Sequence, residues 1–262
     1  MISVVIPMYN SNKSIINAVK SVINQTAFDY VKEIIIVDDG STDNSNQIVQ
    51  DFINKNPKSR IKLYNKQNGG VSSARNYGIK KSSEKWIALL DSDDVWLRDK
   101  LEKQIEVINN HSDIVFIGGG RNKEHVKIGK QVEDGLYKLT TKDLLKKYWP
   151  HTSTALIRKD ILISVGLYDE SRKYAEDGQL WLKISSKYDL FYIKEDLEIA
   201  GENKRSFGEK GLSANLVEMY QGVLRNIDEV YDRNEIKYVE MITYKFLEWI
   251  KYIRRIIITR YF

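Results

Sequence analysis

Short runs dominated by apolar residues alternate along the chain with stretches whose apolar residues recur at helical spacing. Ile2–Pro7 (ISVVIP), Glu33–Val37 (EIIIV) and Trp86–Leu90 (WIALL) have the length and composition of buried strands. Arg60–Tyr64 and Ile114–Ile117 read as further strands. Between them, Ser14–Asn24 carries Ile15, Ala18, Val19 and Val22 on one helical face, and helices are also expected over 44–54, 72–81 and 99–110. Strands that are apolar throughout suit a sheet covered on both faces. The alternation predicts an α/β fold, a mainly parallel sheet flanked by helices.

The second half is less regular. Ile128–Leu139 suggests strands, and His151–Arg158 a strand leading into a helix at Lys159–Val165. Glu176–Tyr188 opens with acids and continues as an amphipathic helix through Leu180, Trp181 and Ile184. Gly201–Asn215 is glycine-bearing and loop-like, and the pattern is helical from Leu216 onward. No internal repeat is present.

Polar residues gather where the strands end. Asp38-Asp39-Gly40-Ser41 follows EIIIV, and Asp91-Ser92-Asp93-Asp94 follows WIALL. Parallel strands in one sheet would bring both clusters to one edge, where such sheets bind ligands. Three carboxylates within four residues repel one another, and a divalent cation relieves that repulsion. In the first cluster Ser41, Thr42 or Asp43 suffices to cap the following helix. Asp38 and Asp39 are then free to accept a hydrogen bond from a nucleobase N–H, as uracil, thymine or guanine offers and cytosine at N3 does not. A third segment, Asn68–Asn76, combines a Gly69-Gly70 turn with a helix N-terminus suited to an anion. Arg75 sits in that helix's first turn, where the dipole disfavours a cation, so contact with a phosphate or nucleotide is expected of it.

Composition narrows the chemistry. The chain has 262 residues, enough for one large domain or one with a small appendage. With 0 cysteines there are no disulfides, no thiolate metal site and no cysteine nucleophile. Only three histidines are present, His111, His125 and His151. A metal would rest mainly on carboxylates, which favours Mg²⁺ or Mn²⁺. A net charge of +5 suits anionic small molecules or an anionic membrane surface and gives no reason to expect nucleic acid. No apolar run is long enough to span a bilayer, and the N-terminus reads as a strand, so an intracellular protein is the expectation.

Five segments together carry a family resemblance. Ser3–Asn10 (SVVIPMYN), Val37–Asp43 (VDDGSTD), Gly70–Asn76 (GVSSARN), Leu90–Asp94 (LDSDD) and Ala175–Trp181 (AEDGQLW) resemble, in order, the motif set of family 2 glycosyltransferases. The resemblance covers residues 1 to about 205. It implies a GT-A catalytic domain over 1–205, followed by a loop and helical C-terminal extension over 206–262. It also implies an inverting transfer of a sugar from a nucleotide-sugar donor, with Mn²⁺ or Mg²⁺ as cofactor.

Residue by residue, the resemblance implies that Pro7, Tyr9 and Asp39 hold the nucleobase side of the donor and that Arg75, Asp91 and Ser92 contact the nucleotide. Asp93 and Asp94 would meet the cation and ribose, and Asp177 would be the catalytic base. Glu176, His151, Trp181, Lys204 and Arg205 are candidates for donor or acceptor contacts. The Gln-x-x-Arg-Trp element of processive synthases is missing, so one sugar is added per event. Asp39 and family precedent make UDP the leading nucleotide. The implied acceptor is a glycan or a polyprenyl-diphosphate-linked sugar in surface polysaccharide (O-antigen or capsule) assembly.

Phe246–Phe262 places Phe246, Trp249, Ile250, Ile253 and Ile257 on one helical face and Lys251, Arg254 and Arg255 on the other. Such a helix suits a peripheral position on the inner face of the cell membrane, or packing on the core or on a second copy in a homodimer. Three other readings compete. A sugar-nucleotide pyrophosphorylase needs a glycine-rich basic loop that Met8–Ser11 lacks. A dinucleotide-binding enzyme needs a third glycine where Lys123 stands after Gly118 and Gly120. A non-catalytic membrane-associated sugar-nucleotide-binding protein on the same fold is the alternative that Asp177 argues against.

Overall fold

The structure is a computed structural model that describes residues 1–124, 129–147, 150–200 and 214–261, with side chains through 259. Five elements build the first half of the site edge. They are β1 (Ile2–Met8), α1 (Ile15–Ile23), β2 (Val31–Asp38), α2 (Ser45–Lys55) and β3 (Ile61–Asn65). Then come α3 (Val71–Lys81), β4 (Trp86–Leu89), β5 (Val95–Trp96), α4 (Lys100–Asn110) and β6 (Phe116–Arg121). The remainder comprises β7 (Lys130–Glu133), β8 (Leu136–Leu139), α5 (Thr141–Lys146), β9 (Leu156–Arg158), α6 (Lys159–Ser164), α7 (Glu176–Ser185), β10 (Leu190–Ile199), α8 (Leu216–Asp232) and α9 (Tyr238–Tyr261).

The strands form one sheet in the order β3-β2-β1-β4-β9-β6-β10-β8-β7, with β5 pairing β10. β3, β2, β1 and β4 run parallel, as do β6 and β10, while β9 lies antiparallel between β4 and β6. Side chains alternate between the faces. Val5, Ile87 and Leu89 join one core with α6, α7 and the C-terminal helices. Val4, Ile6, Ala88 and Leu90 join another with α1, α2 and α4. The expected α/β sheet is therefore present, with apolar strands buried on both sides.

The differences from the sequence reading are local and have physical causes. The strand expected over 151–158 is only β9, because Thr152–Thr154 forms a single 3-10 turn. β10 was not anticipated, since Lys194, Glu195, Asp196 and Glu198 interrupt its apolar pattern; it stands because β6 and β8 flank its first half. The helix expected from about Asn44 begins at Ser45, where Asp43 Oδ1 accepts from the Ser45 N–H at 2.9 Å. Asp38 is not free: it accepts from Ser41 N at 2.9 Å and from Asn46 Nδ2 at 2.8 Å. Lys204 and Arg205 lie outside the described residues. No helix among the described residues is long and apolar enough to cross a membrane.

One buried carboxylate ties the far end of the parallel half together. Glu33 of β2 accepts from Ser3 Oγ, Ser83 N, Ser83 Oγ and Lys62 Nζ at 2.6–2.9 Å. Burial alone would raise its pKa, but the bonds from Lys62, Ser3 and Ser83 outweigh it and hold the value at about 2, against 4.5 unperturbed. A depressed carboxylate pKa stabilises the fold above the unfolded value, and that stability is lost as pH falls through the folded one. Glu33→Gln is therefore expected to cost about 2–3 kcal/mol at neutral pH. Denaturant titrations of both proteins should show the gap closing between about pH 4.5 and pH 2.

Candidate active site

The carboxyl ends of β1, β2 and β4 sit side by side, with Met8 opposite Asp38 and Leu90 N–H bonded to Val5 C=O at 3.1 Å. This brings both acidic clusters to one cleft of about 1510 Å³. Pro7, Tyr9, Asp39, Arg75, Asp91, Ser92, Asp93, Asp94, His151, Glu176, Asp177 and Trp181 all line it. Twelve of the sequence candidates thus converge from six separated segments of chain.

The centre of the arrangement is Arg75, which is 4% exposed. Its NH2 donates to Asp91 at 2.7 Å and its NH1 to Glu176 at 2.9 Å. The Tyr168 ring lies under the guanidinium, 5.2 Å from centroid to Cζ. The glycine-led helix motif, the strand-end acids and the Glu-Asp motif are thereby joined through one side chain. Burial pushes the Glu176 carboxyl up to about 7, adjacent Asp177 adds to this, and Arg75 opposes it.

Asp177 is differently placed. It is half-buried, and accepts from Gly178 N at 2.7 Å and Thr152 Oγ1 at 3.2 Å. The residue before the pair, Ala175, holds a left-handed conformation with φ 55°. α8 braces this turn. Asn226 Nδ2 donates to Ala175 C=O at 3.0 Å, and Gly222 approaches so closely that a Cβ there would lie 2.9 Å from the Tyr174 carbonyl oxygen. Trp181 is buried, edge-to-face with Phe116, and donates to Pro150 C=O at 2.9 Å. It forms part of the cleft wall by packing.

Asp39 accepts from Lys66 Nζ at 2.6 Å, Gly69 N at 3.0 Å and Gly70 N at 2.7 Å. It fixes the Gly69-Gly70 turn, where Gly70 takes φ 87°. A carboxylate offers about four lone-pair directions, so these three donors leave room for one more. Tyr9 is half exposed at the rim, and Ser92 Oγ shares a hydrogen bond with Ser11 Oγ at 2.7 Å.

The four acids of the two strand-end clusters that reach the cleft have separate surroundings. Asp91 faces Arg75, Asp93 is exposed, and Asp94 is buried. Ser153 Oγ donates to Asp94 at 2.5 Å and accepts from Asp91 N–H at 3.0 Å. Asp94, His151 and Glu198 offer ligand atoms within 4.8 Å of one another. Glu198 arrives because β5 pairs Trp96 with it and β6 pairs Arg121 with it. Burial raises the Asp94 carboxyl to about 7, the Glu198 charge adds to this, and His151 opposes it. Burial also brings the fully buried Lys100 ammonium down to about 7, against the pull of Glu198.

His151 Nδ1 lies 2.6 Å from Glu198, and its Nε2 lies 2.6 Å from Arg121 NH1. Arginine can only donate, so Nε2 accepts in this contact. Burial lowers the imidazole value, but the Glu198 charge beside Nδ1 outweighs it, raises the value to about 8 and favours a proton on Nδ1. Two carboxylates with one imidazole match the donor preference of Mn²⁺ and accommodate Mg²⁺. A cation taking the ring through Nδ1 displaces that proton, as metal binding commonly does. The sequence reading named Asp93 and Asp94 for a cation and His151 for a donor or acceptor contact; the cluster contains Asp94 and His151 and leaves Asp93 out. That reading missed Glu198, Arg121 and Lys100, which carry no motif and gain their place from strand pairing alone.

A model of the family described as glycosyl transferase family 2 matches residues 3–166. An uncharacterised glycosyltransferase of Rickettsia bellii is 32% identical over 229 residues, covering 86% of this chain and 32% of the relative. The chain thus spans about a third of that relative's length. An Escherichia coli protein named UDP-Glc:alpha-D-GlcNAc-diphosphoundecaprenol beta-1,3-glucosyltransferase WfgD is 33% identical over 189 residues, covering 70% of this chain and 69% of its own. The crystal structure of S. aureus TarS 1-349 in complex with UDP-GlcNAc superposes with a TM-score of 0.67 at 22% identity, covering 93% of this chain and 70% of that one.

Removing the bridging guanidinium leaves Asp91 and Glu176 uncompensated. Arg75→Ala is expected to lose about 3–5 kcal/mol of stability. Arg75→Lys should recover only part of it, because an ammonium cannot reach both carboxylates as a planar fork does. Thermal and denaturant unfolding of the two variants checks this, and equal stability of Lys and wild type would refute the bridge.

Proposed function

Because the chain belongs to glycosyl transferase family 2, we propose that it transfers one sugar from a UDP-sugar to an acceptor hydroxyl, with inversion and with Mn²⁺ or Mg²⁺, in surface-polysaccharide assembly. The observation that carries this reading is the meeting of Asp91, Asp94 and Asp177 in one cleft, where Arg75 ties Asp91 to Glu176. UDP is favoured because the remaining acceptor capacity of Asp39 suits a uracil N3–H. The names of relatives agree: WfgD is described as using UDP-Glc and a diphosphoundecaprenol acceptor, and TarS was solved with UDP-GlcNAc.

In this reading Pro7, Tyr9 and Asp39 bound the nucleobase, while Asp93 and Ser92 approach the ribose. Asp94, His151 and Glu198 would hold the cation, which neutralises charge building on the departing diphosphate. Arg75 acts beneath the site, keeping Asp91 and Glu176 in place.

Asp177 is the base. An acceptor hydroxyl is a weak nucleophile at neutral pH, and a positioned carboxylate takes its proton as the bond to the sugar forms. Glu176 is less suited, since Arg75 already occupies it and burial favours its neutral form. Thr152 and Gly178 fix the Asp177 carboxylate toward the cleft. A single displacement from the face opposite the leaving diphosphate inverts the anomeric centre, so an α-linked donor yields a β-linked product.

The outer face of α9 suits a membrane. Val239, Ile242, Phe246, Trp249, Ile250, Ile253 and Ile257 form a continuous exposed stripe. A lipid-linked acceptor would be met at the inner face of the cell membrane, with this stripe in the interface.

Asp177→Asn is expected to lower the transfer rate at least about 10²-fold while UDP affinity holds. Full activity in that variant would remove the base. Thermal unfolding with UDP, dTDP, GDP and CDP, each with and without Mn²⁺, checks donor and cation together, since a ligand of the native state raises stability as RT ln(1 + [L]/Kd). A Mn²⁺-dependent rise for UDP, lost in Asp94→Asn, is the expected pattern; a rise for GDP alone would overturn the donor.

A further inference from the structure

The cleft extends well beyond the motif residues, and its far end is basic. Arg121 from the end of β6, Lys146 and Lys147 from the end of α5, and Lys251, Arg254 and Arg255 from α9 all line it. Against them stand Glu124, Glu198 and Glu248, and Asp143, which pairs with Lys146. Among the described residues this end therefore carries positive charge in excess.

The orientation of α9 produces this wall. Its buried side carries Met241, Tyr244 and Glu248, and the apolar stripe points away from the core. Lys251 is half-buried and donates to the Lys146 carbonyl at 2.5 Å and to Glu248. A lysine on the last carbonyls of a helix is a stabilising C-terminal contact, and here it locks α9 against the end of α5. Arg254 and Lys146 are exposed beside this contact. Burial lowers the Lys147 pKa, Lys251, Arg121 and Arg254 lower it further, and Glu124 opposes them. Like charges held this close are costly, and an anion between them relieves that cost.

From this geometry we infer that the α5–α9 end of the cleft is a second anion site, which takes the phosphate groups of the acceptor while UDP occupies the motif end. The inference rests on the glycosyltransferase reading and gives the phosphate or diphosphate of its acceptor a place in the cleft. The apolar stripe of α9 lies on the opposite side of the helix that supplies Lys251 and Arg255. A lipid attached to that phosphate could therefore leave the cleft toward the surface that the stripe would meet.

The test uses the full chain saturated with UDP in excess Mg²⁺, and farnesyl diphosphate as the probe, followed by calorimetry. The wild type should bind the probe with UDP still in place. The double variant Lys146→Gln, Arg254→Gln changes only exposed side chains and should weaken probe binding on the order of ten-fold. Displacement of the probe by UDP would overturn the inference, because the wall would then serve the donor diphosphate. Equal probe affinity in the variant would overturn it as well. So would a loss seen only with phosphatidylglycerol vesicles, which would assign the charges to lipid headgroups. A wild type that binds no UDP would instead sink the glycosyltransferase reading itself, whatever the probe does.

Discussion

A buried guanidinium with two carboxylate partners is the constraint on which the site depends. Arg75 stands at the start of α3, Asp91 at the end of β4 and Glu176 at the start of α7, and each belongs to a different motif. Burying a charge is costly unless it is paired and hydrogen-bonded. The pairing therefore fixes the relative position of three elements. Asp177, next to Glu176, is held separately by Thr152 and Gly178. The cationic residue that opposes its own helix dipole is tolerated because its charge is satisfied across the cleft.

A second buried group sits one strand further along the sheet. Asp94, His151, Glu198, Arg121 and Lys100 come from five separate segments. Burial pushes the Asp94 carboxyl up to about 7 and the Lys100 ammonium down to about 7, so these two hold less charge than their residue types suggest. A divalent cation held there would displace those protons. Both groups lie at the carboxyl ends of parallel strands, and the antiparallel β9 between β4 and β6 carries the turn that delivers His151 and Ser153.

The two C-terminal helices are part of this apparatus. α8 shares a core with α7 through Val223, Ile227 and Val230, and its Gly222 and Asn226 brace the left-handed Ala175. α9 packs Met241 and Tyr244 on the core, carries Lys251 and Arg255 along the same side toward the cleft, and exposes an apolar stripe on the other. The inward side is stable because Glu248 and the α5 carbonyl receive Lys251.

Much of the first half was legible in the chain itself. Apolar runs of strand length, helical spacing between them and acids at the strand ends determined the parallel sheet and the edge that carries chemistry, because burial on both faces demands that pattern. The motif residues from Pro7 to Asp177 were equally visible. Sequence alone could not assign what each carboxylate does. Asp38 and Asp39 look alike as neighbours, yet one fixes the turn before α2 and the other fixes the Gly69-Gly70 turn. Glu198, Arg121 and Lys100 had no local signal, since their place depends on β10 pairing with β5 and β6, strands distant from it in the chain. The facing of α9 was likewise undecided: an amphipathic pattern fixes that a helix has two sides, and only packing against α5 and α8 selects which one meets the protein.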